Sequence, residues 1–289
     1  MPRPKILYLG NCQAEAMASL AVFLGLDQDH IRLPPVWTLT DEQGPIVEAA
    51  YREADYIFLQ RVDSSFPVRF VKADYVRSFA PNKTVVTWPN IYFDGYFPGI
   101  RYLYGPNGKI EGPLSDYHFE WIIESFKRGL TVDQAEQALR NEFLTKYPTP
   151  VEDSIENLRM REKDTDAKIS DYILTFFRHI KLFYTMNHPH SVVLVEMLRR
   201  LHRLAQLSFS EKDVDDFPYH LNFIDIGSLP LFNLKYHPTF TVHEFTKGVE
   251  VDASGGPRVD HPHAAYKVRD LIHVFYSIYA SHANFLRTA

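Results

Sequence analysis

The chain of 289 residues carries 31 basic and 36 acidic side chains, a net charge of −5 with histidine neutral, which excludes a surface built as a whole to bind nucleic acid. Hydrophobic residues make up 45% and charged ones 23%, the balance of a globular protein with a real core, which excludes a disordered, collagen-like or coiled-coil chain. With 14% aromatic residues and only 13 glycines, rigid aromatic packing is expected.

The single cysteine, Cys12, rules out an intrachain disulfide and an internal C-x-x-C couple, and a reducing compartment is its simplest home. No apolar run approaches the roughly 18 residues that a bilayer span needs, and the longest, Val192 to Leu198, is broken by Glu196. The opening Met1-Pro2-Arg3-Pro4 enters an apolar segment without a secretory core region. The expectation is a cytoplasmic protein with no membrane span.

Lys5 to Leu9 reads as a buried strand ended by Gly10-Asn11. From Gln13 to Leu24 the apolar residues Met17, Leu20, Ala21 and Leu24 follow helical spacing, and Gly25 can close that helix. Ile31 to Leu33, Tyr56 to Gln60 and Thr84 to Trp88 read as further strands with helical stretches between them. Such an alternation predicts a small parallel sheet, with active groups gathered at the carboxyl ends of its strands. Asn90 to Gly112 is a long loop-rich stretch expected to cover a site. Beyond it the chain reads as mostly helical: His118 to Lys127, a capping-box helix opened by Thr131 and Gln134 and running to about Tyr147, an amphipathic helix from Ser191 to Leu207, and a last helix from Ala264 to Ala283. The fold class is therefore α/β, as one domain over residues 1–289, with an α/β part to about residue 112 and a helical part beyond.

The sharpest local signal is Gly10-Asn11-Cys12-Gln13, where a strand hands over to a helix. Amide N–H groups and the positive end of the helix dipole favour a thiolate there, so the Cys12 pKa is expected to fall and Cys12 to act as a nucleophile. A small buried residue at a tight turn is the plainer alternative. Among the 13 histidines the best base is His188 in Asn187-His188-Pro189, expected as the N-cap of the following helix with Pro189 in the first helical position. A capping or packing histidine remains the alternative. Asn90, after strand end Trp88-Pro89, is an oxyanion donor, a substrate anchor or an Asx turn. Gln60 and Arg61 end another strand, where Arg61 binds phosphate or pairs with Asp63.

His188-Pro189-His190 and His261-Pro262-His263 raise a metal site, but neither lies in a zinc signature, and no metal is expected. No dinucleotide or nucleoside-triphosphate fingerprint is present. Arg199, Arg200 and Arg203 form a basic stripe too small for nucleic acid without a stacking platform.

Taken together, Gly10-Asn11-Cys12-Gln13, Trp88-Pro89-Asn90-Ile91-Tyr92-Phe93-Asp94-Gly95-Tyr96 and Asn187-His188-Pro189 resemble the WcbI-type polysaccharide biosynthesis family over roughly Ile6 to Leu201. Members are regarded as acyltransferases that bind coenzyme A and acetylate capsular or surface sugars, with a site similar to that of SGNH-type esterases. The resemblance implies that Cys12 takes the acetyl group from acetyl-coenzyme A, His188 manages the proton, and a sugar hydroxyl receives the acyl group. Asn11, Gln13, Asn90 and Asn187 would serve the oxyanion and substrate. Gln60 and Arg61, read from their strand end and not from the resemblance, are the candidate cofactor contacts. His237, His261 or His263 could replace His188. In a direct-transfer variant Cys12 only positions the thioester. An esterase or deacetylase with the same Cys-His pair, or a noncatalytic coenzyme A or glycan binder whose aromatic loop Tyr92 to Tyr104 grips the sugar, are the alternatives.

Overall fold

A computed structural model describes residues 2–106, 108–210, 212–218, 220–243, 245–251 and 263–282. Four strands, Lys5–Leu9 (β1), Asp29–Arg32 (β2), Tyr56–Gln60 (β3) and Thr84–Trp88 (β4), form a parallel sheet in the order β2-β1-β3-β4. The apolar runs of β1 and β3 are continuous because both faces are covered. Leu7, Leu9, Ile57 and Leu59 pack on one side with Val47 and Tyr51 of a helix at Gly44–Glu53 and Val76 of one at Ala73–Phe79. On these strands the alternate residues Tyr8 and Phe58 meet edge to face, and Phe58 packs on His202 of the Ser191–Leu204 helix. The α/β class with a parallel sheet in the N-terminal part is as expected from the sequence. β1 runs to β2 on one side and the chain returns to β3 on the other, so the end of β1 lies at the topological switch point where ligands of open sheets bind.

β4 is an edge strand, and the chain closes it. Asp166 accepts from the Thr87 N–H and hydroxyl, both at 2.7 Å, while Ala167 donates to the Thr87 carbonyl at 2.9 Å. A covered edge offers no ladder to a second chain.

Two compact units are discernible: residues 1–92, 155–176 and 187–221 form the first, and residues 93–154, 177–186 and 222–289 the second. In the second unit, the stretch expected to cover a site supplies core instead. Phe93, Tyr96 and Phe97 are fully buried there, and the Tyr96 hydroxyl donates to Phe177 O at 2.7 Å. The later part is more open, with Arg101, Tyr104, Lys109 and Glu111 exposed. Two expected helices begin as strands: Tyr117–Phe119 pairs antiparallel with Ile100–Tyr102 before the Glu120–Lys127 helix, and Ala264–Tyr266 pairs with Thr246–Gly248 before the Val268–Ser281 helix. Thr131 and Gln134 form the predicted capping box of the Val132–Lys146 helix.

His118, fully buried in the second unit, donates from Nε2 to Ile110 O at 2.7 Å, which leaves Nδ1 to accept from the Tyr279 hydroxyl at 2.9 Å. Burial holds its pKa down to about 4 from 6.5. Between these values the unfolded chain takes a proton that the folded one refuses, so stability present above pH 6.5 falls as the pH drops toward 4. Denaturant titration across this window should show a loss on the order of 3 kcal/mol that is missing in His118→Gln.

Candidate functional site

The first helix, Cys12–Phe23 (α1), begins directly off β1. Gly10 is required at this elbow because a Cβ would lie 2.7 Å from Gln60 Cβ and 3.0 Å from Ala14 Cβ. Asn11 is the N-cap. Its side-chain oxygen accepts from Gln13 N at 3.0 Å, as an Asn at this position does when it satisfies an orphan helix N–H. The Asn11 N–H in turn donates to Gln60 Oε1 at 2.8 Å.

Gln13 is fully buried and every polar atom of its carboxamide is satisfied. Nε2 donates to Ile91 O at 2.7 Å and Asn187 O at 2.8 Å, while Oε1 accepts from Ile91 N and Gln60 Nε2, each at 3.1 Å. One side chain thus binds the elbow to the segment after β4 and to the residue before His188, 174 positions away. Asn11 Nδ2 donates to Asn90 Oδ1 at 3.3 Å, which leaves the Asn90 amide donors without a partner among the described residues. The structure therefore brings Asn11, Cys12, Gln13, Gln60, Asn90 and Asn187 to one end of the sheet, with His188 following Asn187.

Gln13 and Gln60 hold the backbone rather than face a ligand, with Gln60 only 3% exposed. Arg61 pairs with Asp164 at 2.9 Å and not with Asp63, whose carboxylate instead caps Ser65. His188, half-buried in the short extended segment His188–Pro189, is not the N-cap of the next helix. That cap is His190, whose Nδ1 accepts from Val192 N, so the helix starts at Ser191 and not at Pro189. His237 ends the Pro230–Tyr236 helix in the left-handed conformation, and His263 packs edge-on against Phe223. His261 lies outside the described residues.

Cys12 departs from expectation in its ionisation. Burial pushes the thiol up to about 11, and the N–H groups of Gln13 and Cys12, which favour the thiolate, only partly offset that. The side chain still retains some exposed surface. A cavity of about 400 Å³ opens beside it, with Glu15, Ser19, Val22, Arg32 and Leu221 in its wall. Sequence reading passed over Glu15 and Arg32. The signal for Glu15 was its position one turn after Cys12, where its carboxylate opposes the thiolate. Nearby in the fold of the same unit, His220 Nδ1 lies 2.6 Å from Ser191 Oγ, a pair that precedes the cavity residue Leu221. Among the described residues no group of three or more His, Cys, Asp or Glu is arranged to hold a metal, and no helix is long and apolar enough to cross a membrane.

The family model described as "Polysaccharide biosynthesis enzyme WcbI" matches residues 5–210. The chain belongs to the WcbI family of polysaccharide biosynthesis enzymes. Its fold is similar to the solved structure of WcbI, described as a novel polysaccharide biosynthesis enzyme in its native form without a disulfide bond between coenzyme A and a cysteine of that protein. The similarity has a TM-score of 0.77 at 18% identity and covers 99% of this chain and 94% of that one. No curated protein matches the chain. Family membership makes it an enzyme, and the matched span takes in β1 to β4 and the whole elbow.

Two measurements check this geometry. The rate of Cys12 alkylation by iodoacetamide should rise through a pKa of about 11, and a midpoint below that of a free thiol would contradict the desolvated site. Gln13→Leu strands four polar partners and should cost at least about 3 kcal/mol in chemical denaturation, against about 1 kcal/mol for Cys12→Ala.

Proposed function

We propose that the chain is a coenzyme A-dependent acyltransferase that moves an acetyl or related acyl group to a sugar hydroxyl. The observation that carries this reading is the placement of a thiol on the first turn of α1, at the mouth of a cavity of about 400 Å³, with the backbone before His188 tied to the next residue by the Gln13–Asn187 bond. Membership in a polysaccharide biosynthesis family supports a sugar acceptor, and the coenzyme A named with the solved WcbI supports the donor.

At neutral pH the thiol is protonated, so attack needs a base. As Cys12 Sγ bonds to the thioester carbonyl carbon, its proton passes to His188, the carbon–sulfur bond to the coenzyme breaks, and the leaving thiolate receives the proton. The acceptor hydroxyl then displaces Cys12 from the acyl group, giving up its proton as the thiol is restored. The Asn90 amide donors stabilise the oxyanion in both steps, a contribution typically worth about 3 kcal/mol. Asn11 holds the Asn90 oxygen and so aims those donors.

The raised Cys12 pKa favours a second reading, in which the thiol only positions the thioester and the hydroxyl attacks it directly. Intact-mass measurement after rapid mixing with acetyl-coenzyme A separates the two. The covalent route gives an acetyl adduct that Cys12→Ala lacks, and direct transfer gives none. Under either route Asn90→Ala should lower kcat about 100-fold with the fold retained. An unchanged kcat would remove Asn90 from the site. Hydrolysis of acetylated sugars without coenzyme A would replace the transferase with an esterase.

A further inference from the structure

A second cavity of about 140 Å³ adjoins the elbow, walled by Gly10, Asn11, Glu15, Arg32, Pro34 and Pro35. Glu15 and Arg32 belong to both cavities and form the partition between them. Neither makes a side-chain hydrogen bond or ion pair among the described residues, so a carboxylate acceptor and a guanidinium fork both remain to be engaged. The proline wall is fixed to the elbow, since Val36 N donates to Gly10 O at 3.0 Å. One residue further, on the short turn Val36–Thr38, Trp37 exposes 69% of its surface. Its indole makes no ring stacking or cation–π contact among the described residues.

The two cavities differ in what they admit. The one beside Cys12 has the volume of a small-molecule site and can take a flexible thioester arm. The other is too small for a nucleotide, but it opens to solvent, and its polar groups suit one face of a compact ligand rich in hydroxyls. Vicinal hydroxyls donate to a carboxylate and accept from a planar guanidinium, and the apolar face of a pyranose ring covers an indole.

We infer that the smaller cavity seats the acceptor as a single sugar ring, with Glu15 and Arg32 bonding its hydroxyls and Trp37 covering its apolar face. The assignment rests on the acyl-transfer reading for the identity of the ring as acceptor. Glu15 then stands between donor and acceptor, with Asn11 in the wall of the recess. Both cavities belong to the first unit.

Saturation-transfer NMR with a panel of methyl hexopyranosides tests the seat without any coenzyme. At least one should receive saturation from the wild-type protein, and Trp37→Ala and Glu15→Gln should each weaken that binding about tenfold or more. Both side chains are on the surface, so the variants should fold, which circular dichroism checks. Calorimetry with acetyl-coenzyme A on the same proteins should give an unchanged Kd in Trp37→Ala. No saturation of any glycoside, or saturation that neither variant weakens, overturns the assignment. Equal loss of sugar and coenzyme binding in Trp37→Ala overturns it as well, because the two seats would then be one. Absence of coenzyme binding with Trp37-dependent sugar binding intact removes the acyl-transfer reading and leaves the sugar seat standing.

Discussion

The Gln13 carboxamide reaches from the first turn of α1 to the backbone on both sides of Ile91 and to Asn187, and is met from the neighbouring strand by Gln60. A buried amide with an unmade bond would cost about 1–3 kcal/mol, so this side chain is tolerated in the interior only with all its partners in place. Three of the four bonds are to backbone groups, of Ile91 and Asn187, far apart in sequence. Satisfying one side chain therefore fixes where three segments meet, and these segments carry Cys12, Asn90 and His188. Gly10 completes the arrangement by letting Gln60 approach within the distance a Cβ would forbid.

Two effects compete at Cys12. The N-terminus of a helix stabilises a negative charge by about 0.3–1 kcal/mol at the surface and about 2 kcal/mol when partly buried. Removing the thiolate from water is the larger effect here, and the carboxylate of Glu15 adds to it. The resting thiol is thus kept neutral at physiological pH. A base brought by the Asn187–His188 segment, or a thioester that needs positioning and no thiolate, both agree with this state.

Three strands of the sheet were legible because they are mostly apolar runs of five residues flanked by turn signals, as in Lys5–Leu9 and Thr84–Trp88, whereas the polar edge strand Asp29–Arg32 starts two residues before the expected Ile31 to Leu33. The Gly10–Gln13 elbow was legible for the same reason, since a strand that stops at Gly-Asn and resumes as a helix admits few geometries. What failed to show was anything set by distant partners. Arg61 finds Asp164, 103 residues on, and not Asp63, two residues away, because Asp63 is engaged by its own turn. Gln60 looks like a ligand-facing group at a strand end, yet its neighbours are Asn11 and Gln13. Helix starts slipped where extended chain precedes the helix: Tyr117–Phe119 and Ala264–Tyr266 pair across the second unit, and His190 takes the cap expected of His188. Glu15 had only its place one turn after Cys12 to mark it, and Arg32 was invisible because nothing in the sequence says that two cavities share it.

The account stands on the cavity beside Cys12 being where the coenzyme thiol arrives. A crystal structure with a non-transferable thioether analogue of acetyl-coenzyme A tests this directly. The account predicts the thioether sulfur in van der Waals contact with Cys12 Sγ and the acyl oxygen within hydrogen-bond reach of the Asn90 amide. An analogue bound with its sulfur away from the first turn of α1, or with Cys12 closed off behind protein, would contradict it.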